Sequence, residues 1–273
     1  MNRFSKIALV FFYFILVNGS EGQVIDSLKD IYLQGKFITV GVGGGHASLQ
    51  DQGISPLLYS GAGGAAQIGY SSYTAKAVHH AYIRFDFNSL LSEVSGGTIY
   101  SYQTTGSYQY FNNKFDFSTA KINWSPGLFL DFNWALRDHT TYTNNSLHID
   151  TRIAFSPAIN VNREFKLWKR QFEIGGTWSI PVISYVSRPL FASTQFPATV
   201  NKEEPKWFDY IAEGSFYSLG KNRKINMQSY LVYRFKNNNG LRFDYYWSFA
   251  NLNADNPIKN AGHTFLISTM LKL

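Results

Sequence analysis

The chain has no cysteine, only 16% charged residues and, after its first two dozen positions, no apolar run approaching 18 residues. The first absence excludes a disulfide framework, thiol chemistry and the cysteine of a lipid anchor. The second leaves no block of like charge, so a formal net charge of +7 is no footprint for nucleic acid. The third removes helical membrane spans.

What is present begins with Arg3 and Lys6, an unbroken apolar run over 7–17, and the small and polar residues Asn18, Gly19, Ser20, Glu21 and Gly22. This layout predicts a secretory signal peptide over 1–22. As a helix the apolar run spans about 16 Å, well short of a hydrocarbon core of about 30 Å. Ser20 and Gly22 fit cleavage before Gln23, with cleavage after Gly19 as the alternative. Removing 1–22 takes away Arg3, Lys6 and Glu21 and leaves a formal charge of +6. The aromatic content is 17%, more than a soluble core needs. Transmembrane barrels place such residues in girdles at both interfaces.

Alternation of polarity is the main signal along the rest of the chain. Leu147, Ile149, Thr151, Ile153, Phe155, Pro157, Ile159 and Val161 share one face, and His148, Asp150, Arg152, Ala154, Ser156, Asn160 and Asn162 share the other. A helix cannot hold that phase. Turning the strand over would expose Arg152 and Asp150 to hydrocarbon, at about 2–4 kcal/mol for an Arg at the midplane and somewhat less for an Asp, so the apolar face looks outward in a membrane barrel. The same pattern runs through Leu241, Phe243, Tyr245, Trp247 and Phe249 against Arg242, Asp244, Tyr246 and Ser248. It recurs in Leu128, Leu130, Phe132 and Trp134 against Asp131, Asn133 and Arg137, and in Ala81, Ile83, Phe85 and Phe87 against His80, Tyr82, Arg84 and Asp86. Ile225, Met227, Leu231 and Phe235 oppose Asn226, Gln228, Tyr230 and Arg234, and Phe265, Ile267, Thr269, Leu271 and Leu273 oppose Thr264, Ser268 and Lys272.

Turn chemistry separates these runs at Asn112-Asn113, Asn144-Asn145, Leu219-Gly220-Lys221-Asn222 and Asn237-Asn238-Asn239-Gly240. The expectation is an all-β, antiparallel up-and-down transmembrane barrel over 36–273. Strands are predicted near 36–45, 62–72, 76–89, 97–111, 126–137, 146–166, 171–186, 206–217, 224–236, 240–250 and 262–273. Single-chain bacterial barrels have an even number of strands, and this set is odd. A short strand at about 188–197, where Leu190, Ala192, Thr194 and Phe196 alternate, restores parity and predicts twelve strands, with ten as the alternative. It also places short periplasmic turns at 72–75 and 168–170 and an outer Gly-rich loop at 46–61. Residues 23–35 form a lead-in, either unstructured or a short helix in which Val24, Ile25, Leu28, Ile31 and Tyr32 share a face.

With its signal sequence, alternating aromatic strands and final strand over 264–273, the chain resembles the outer-membrane β-barrel proteins of Gram-negative bacteria. The resemblance covers 36–273 and rests on pattern rather than on a diagnostic motif. It implies residence in outer-membrane lipid and insertion by the barrel-assembly machinery, whose usual signal is a last strand ending in an aromatic residue. This chain ends in Leu271-Lys272-Leu273, keeping an apolar terminal residue in the outward phase.

Candidate chemistry lies on the inward faces. Arg84, Asp86, Asp131, Arg137, His148, Asp150, Arg152, Arg234, Arg242 and Asp244 are predicted to line the lumen. They either set the solute preference of a water-filled pore or pair across the lumen and close it; the two readings stay open. Ser146, His148 and Asp150 fall on one strand face, but same-face neighbours stand about 6.5–7 Å apart, too far for a relay between short side chains. His79 and His80 point to opposite faces, so they do not share a metal. Gly41-Val42-Gly43-Gly44-Gly45 and Gly61-Ala62-Gly63-Gly64 lack the Lys-Ser/Thr of a phosphate loop and suit curvature at strand ends. No cofactor or metal is expected. The functional expectation is a small outer-membrane channel or transporter for modest polar solutes. The alternative is a non-conducting barrel serving as a structural or assembly partner, with loops 46–61 and 251–261 as contact surface. A lipid-acting enzyme and a soluble secreted β-sandwich are weaker alternatives.

Overall fold

Twelve strands appear in the computed structural model, which describes residues 34–113, 122–141, 147–167, 170–188, 214–254 and 256–273. They are β1 (Gly35–Asp51), β2 (Ser55–Tyr73), β3 (Ala77–Leu91), β4 (Thr98–Asn112), β5 (Asn123–His139), β6 (Leu147–Leu167), β7 (Arg170–Ser179), β8 (Ile183–Ser187), β9 (Ser215–Ser218), β10 (Asn222–Arg234), β11 (Gly240–Leu252) and β12 (Ile258–Lys272). All pairings are antiparallel. A closed ring of ten strands runs from β1 to β7, then through β10, β11 and β12 back to β1; β8 and β9 lie outside it. Closure leaves no unpaired edge in the ring, the condition a sheet must meet to sit in hydrocarbon.

The two extra strands resolve the parity problem differently from an inserted strand at 188–197, a segment of which only Arg188 is described. β7 and β8 follow one another along the same edge of β6, β7 on Ala158 to Leu167 and β8 on Thr151 to Phe155. Between them, 180–182 insert one extra residue around Pro181, a bulge at a residue with no N–H to give. Its effect is to change phase, so that Ser179 and Val186, an odd number of positions apart, both face inward and are buried. β9 pairs with β8, and β10 with β7. The predicted hairpin turn at 219–222 is therefore a break along one edge, because β9 and β10 do not pair with each other.

At the end that carries both termini the turns at 74–76 and 235–239 are short. In the last, Asn238 takes a left-handed φ of 62°, which Asn tolerates better than most residues, and the Phe235 N–H donates to the Asn239 carbonyl at 2.8 Å. At the opposite end the outer-loop expectations are corrected. Residues 46–61 are strand apart from a turn at 52–54, and 251–261 contain a connection only at 253–257. Opposed glycines explain the first correction, since Gly43, Gly44 and Gly45 pair with Ala65, Gly64 and Gly63 in mid-strand rather than at strand ends. A Cβ on Gly43 would stand 1.8 Å from the Phe265 carbonyl oxygen, and one on Gly63 1.8 Å from that of Phe87. Without side chains here, β12, β1, β2 and β3 can close up at this point of the ring.

The outer surface is apolar and the inner surface polar, the reverse of a soluble protein. Val40, Val42, Ile68, Ile83, Phe85, Leu130, Phe132, Ile153, Phe243, Phe265 and Ile267 are all exposed. Rings gather at both ends of this belt. Phe165, Phe172, Tyr233 and Phe235 form a ladder near the terminal rim, with centroid spacings of 5.5, 5.2 and 5.1 Å, and Phe87 packs on Tyr100 and Tyr102 toward the other. A spanning strand needs about 9–11 residues, whereas β2 has 19 and β6 has 21. On β1 the outward residues change from Ile38, Val40 and Val42 to His46, Ser48 and Gln50, so the barrel projects beyond the belt at the end away from the termini. Residues 1–33, with the predicted signal and all but the last two residues of the predicted lead-in, lie outside the described residues, as do Asn144 and Asn145; Gly35, the last lead-in residue, already opens β1.

Candidate functional site

Each ring strand places alternate residues in the lumen, where polar side chains must satisfy one another. At the projecting end, half of the mouth is apolar. Leu49, Ile54, Tyr59, Leu90, Ile99, Val186, Leu252 and Ile258 form one buried cluster. Tyr59 is fully buried within it. The Thr141 N–H donates to His139 Nδ1, so the neutral ring carries its proton on Nε2 and donates it to the Tyr59 hydroxyl at 2.7 Å; that hydroxyl donates in turn to Ser55 Oγ at 3.1 Å.

Charges occupy the facing half of the mouth. Arg137 of β5 joins Asp51 of β1, at 3.3 Å, to Asp150 of β6. Arg188, just beyond β8, pairs with Asp51 and brings its Nε to 3.4 Å from Asp150 Oδ1. His148 Nε2 also lies 3.4 Å from that oxygen, within ion-pair reach but without hydrogen-bond geometry. Two carboxylates and two guanidinia thus balance across the opening.

A polar cavity of about 130 Å³ lies in mid-lumen, with Arg84, Asp131, Arg152, Lys224, Gln228 and Tyr246 on its wall. Lys224 of β10 reaches across the lumen to Asp131 of β5. Arg84 donates to Asp86 at 2.9 Å and stacks 4.6 Å above the Tyr246 ring. The Tyr246 hydroxyl donates to Gln67 at 3.0 Å, and Gln228 donates to both Tyr246 and Asp244 at 2.9 Å. Arg242 donates from Nε to both oxygens of Asp244 at 2.9 Å and lies 4.3 Å from the Tyr230 ring.

Toward the termini the lumen is filled again. Phe37, Tyr230, Val232 and Met270 form a second buried apolar cluster with Tyr73 against it. Beside it Arg234 donates to Glu173 at 2.6 Å and to Glu164 at 3.2 Å, and the Tyr230 hydroxyl donates to Glu173 at 3.0 Å.

The ten residues picked out by phase face inward, and nine of them fall in five groups: Arg84 with Asp86, Arg242 with Asp244, Asp131 with Lys224, Arg137 with Asp150 and His148, and Arg234 with two glutamates. Arg152 joins none of them. Sequence reasoning missed Asp51, Glu164, Glu173, Arg188 and Lys224. Lys224 lies in the inward phase of Asn226 and Gln228 and was within reach of the same argument, whereas Asp51 and Arg188 fell in stretches read as loop and as an additional strand's start. His79 and His80 do point apart, His79 to Tyr108 and His80 to Ser71. Among the described residues no group of three or more His, Asp or Glu is placed to hold a metal. Ser146 lies outside the described residues.

No protein-family model matches the chain, and no curated protein matches it. Solved structures do. The outer membrane protease OmpT from Escherichia coli superposes with a TM-score of 0.51 at 7% identity, over 92% of this chain and 99% of that one. The β domain of the Bordetella autotransporter BrkA matches at 0.37 and 9% identity over 88% and 99% of the two chains. The translocator domain of autotransporter NalP from Neisseria meningitidis matches at 0.36 and 5% identity over 98% of each. At these identities the likeness is one of fold: the chain has the closed antiparallel β-barrel fold that the outer-membrane protease also has.

Proposed function

We propose that this protein resides in the outer membrane, reached by export on a signal peptide cleaved from residues 1–22, as a non-conducting barrel that serves as a structural or assembly partner of a membrane complex. The observation that carries the reading is the filled mouth. The apolar cluster around Tyr59 and the Asp51–Arg137–Asp150–Arg188 group together occupy the section that a solute would cross. Burial of each charge against an opposite partner makes opening unfavourable, because separating them would leave charges without partners inside the barrel. The exposed apolar belt supports residence in lipid, with the barrel-assembly machinery as the partner during insertion.

A channel for modest polar solutes is the second reading, favoured by the polar mid-lumen cavity; it requires the mouth to open. Planar-bilayer recording from the purified, refolded chain separates them. We expect no single-channel steps, and steps of reproducible size would overturn the sealed-barrel reading in favour of the channel. N-terminal sequencing of the exported protein is expected to begin at Gln23, or at Ser20 if cleavage follows Gly19.

A further inference from the structure

The mid-lumen cavity carries a guanidinium, Arg152, on which Asp131 and Asp150 act only through space, with no ion pair among the described residues. Its wall carries Arg84, Arg137, Arg152 and Lys224 against the single carboxylate Asp131. Arg84 is paired with Asp86, Arg137 with Asp51 and Asp150, and Lys224 with Asp131. Arg152 makes no ion pair and no hydrogen bond among the described residues. It sits on β6 between Asn133 of β5 and Val186 of β8, and the Asn133 amide is already donated to Thr105 at 2.9 Å.

A guanidinium cannot shed its proton, and Arg152, half-buried in the lumen, has a donor fork that no described group accepts from, which is unfavourable away from bulk water. Water could fill the space but would bring no negative charge. Arginine's fixed fork of donors matches the paired oxygens of a carboxylate or phosphate. We propose that this cavity binds one small oxyanion, held by the Arg152 fork with Lys224 and Arg84 as flanking cations. The cavity of about 130 Å³ admits an anion of a few heavy atoms, such as inorganic phosphate or a short carboxylate. The inference stands on the cavity wall and is independent of whether the barrel conducts.

The test is refolding of the full chain into detergent micelles with or without inorganic phosphate, at fixed ionic strength in a buffer whose own anion is too bulky for the cavity. The unfolding midpoint is then read as a function of phosphate concentration. Phosphate is expected to raise the midpoint of the wild-type chain, and Arg152→Gln to weaken the apparent phosphate affinity by at least about tenfold, as for loss of a charge-assisted hydrogen bond. A wild-type midpoint indifferent to phosphate, or an equal response in Arg152→Gln, would overturn the proposal. Should Arg152→Gln not assemble, as judged by heat-modifiable migration, Arg152→Lys takes its place. It keeps the charge and loses the fork, so a response as large as wild type would again count against the site.

Discussion

Arg137 draws two carboxylates from strands on different sides of the mouth into one group, and its own side chain is only 6% exposed. Truncating it would leave Asp51 and Asp150 sharing Arg188 alone. Removing one partner of a buried ion group is strongly destabilising, so Arg137→Ala is expected to lower stability by about 3–5 kcal/mol, read as a shift of the denaturant midpoint in micelles. A shift below about 1 kcal/mol would place the group among solvated surface pairs. At this scale the sequence was informative about direction and silent about partners. Alternation alone put Arg137, Asp150 and Arg242 inside. It offered no means of pairing Lys224 with Asp131, which lie 93 positions apart and meet only because the closed ring sets just β6 and β7 between β5 and β10.

Strands β1 and β2 are shaped by what their glycines omit. A side chain at Gly43 would collide with the β12 backbone at Phe265, and backbone, unlike the end of a flexible side chain, cannot step aside. Gly43→Val is therefore expected to prevent ring closure, seen as loss of the heat-modifiable form in gels. Normal migration of this variant would show that the ring can relax at that point. Gly106, whose Cβ would meet nothing within 4 Å, is the matched control. Most elements were legible from period and turn residues, including the hairpin at 235–239. The exceptions have one cause. A bulge or an extended glycine run breaks the local pattern without ending the strand, so β7 and β8 read as one strand with no change of phase, and 46–61 read as a loop.

Over the whole molecule, the exposed apolar belt separates a membrane barrel from a soluble one. Ile267 is 54% exposed on β12, opposite Val42 of β1 and Phe243 of β11, both exposed as well. In a bilayer, Ile267→Arg is expected to destabilise the refolded barrel by about 2–4 kcal/mol, the range for Arg near the midplane. On a soluble surface the same change would stay within about 0.5 kcal/mol. Unfolding titrations in lipid vesicles distinguish the two, and an effect inside the smaller range would argue against membrane residence.

The sequence by itself determined the apolar, outward face of most strands, where most turns fall and some of the charges that face inward, because these depend on a period of two and on local backbone chemistry. Only the tertiary structure decided how many strands close the ring and which charges pair with one another, because ring closure sets which distant side chains meet. It also left Arg152 without an ion pair or hydrogen bond among the described residues, which no local pattern could carry.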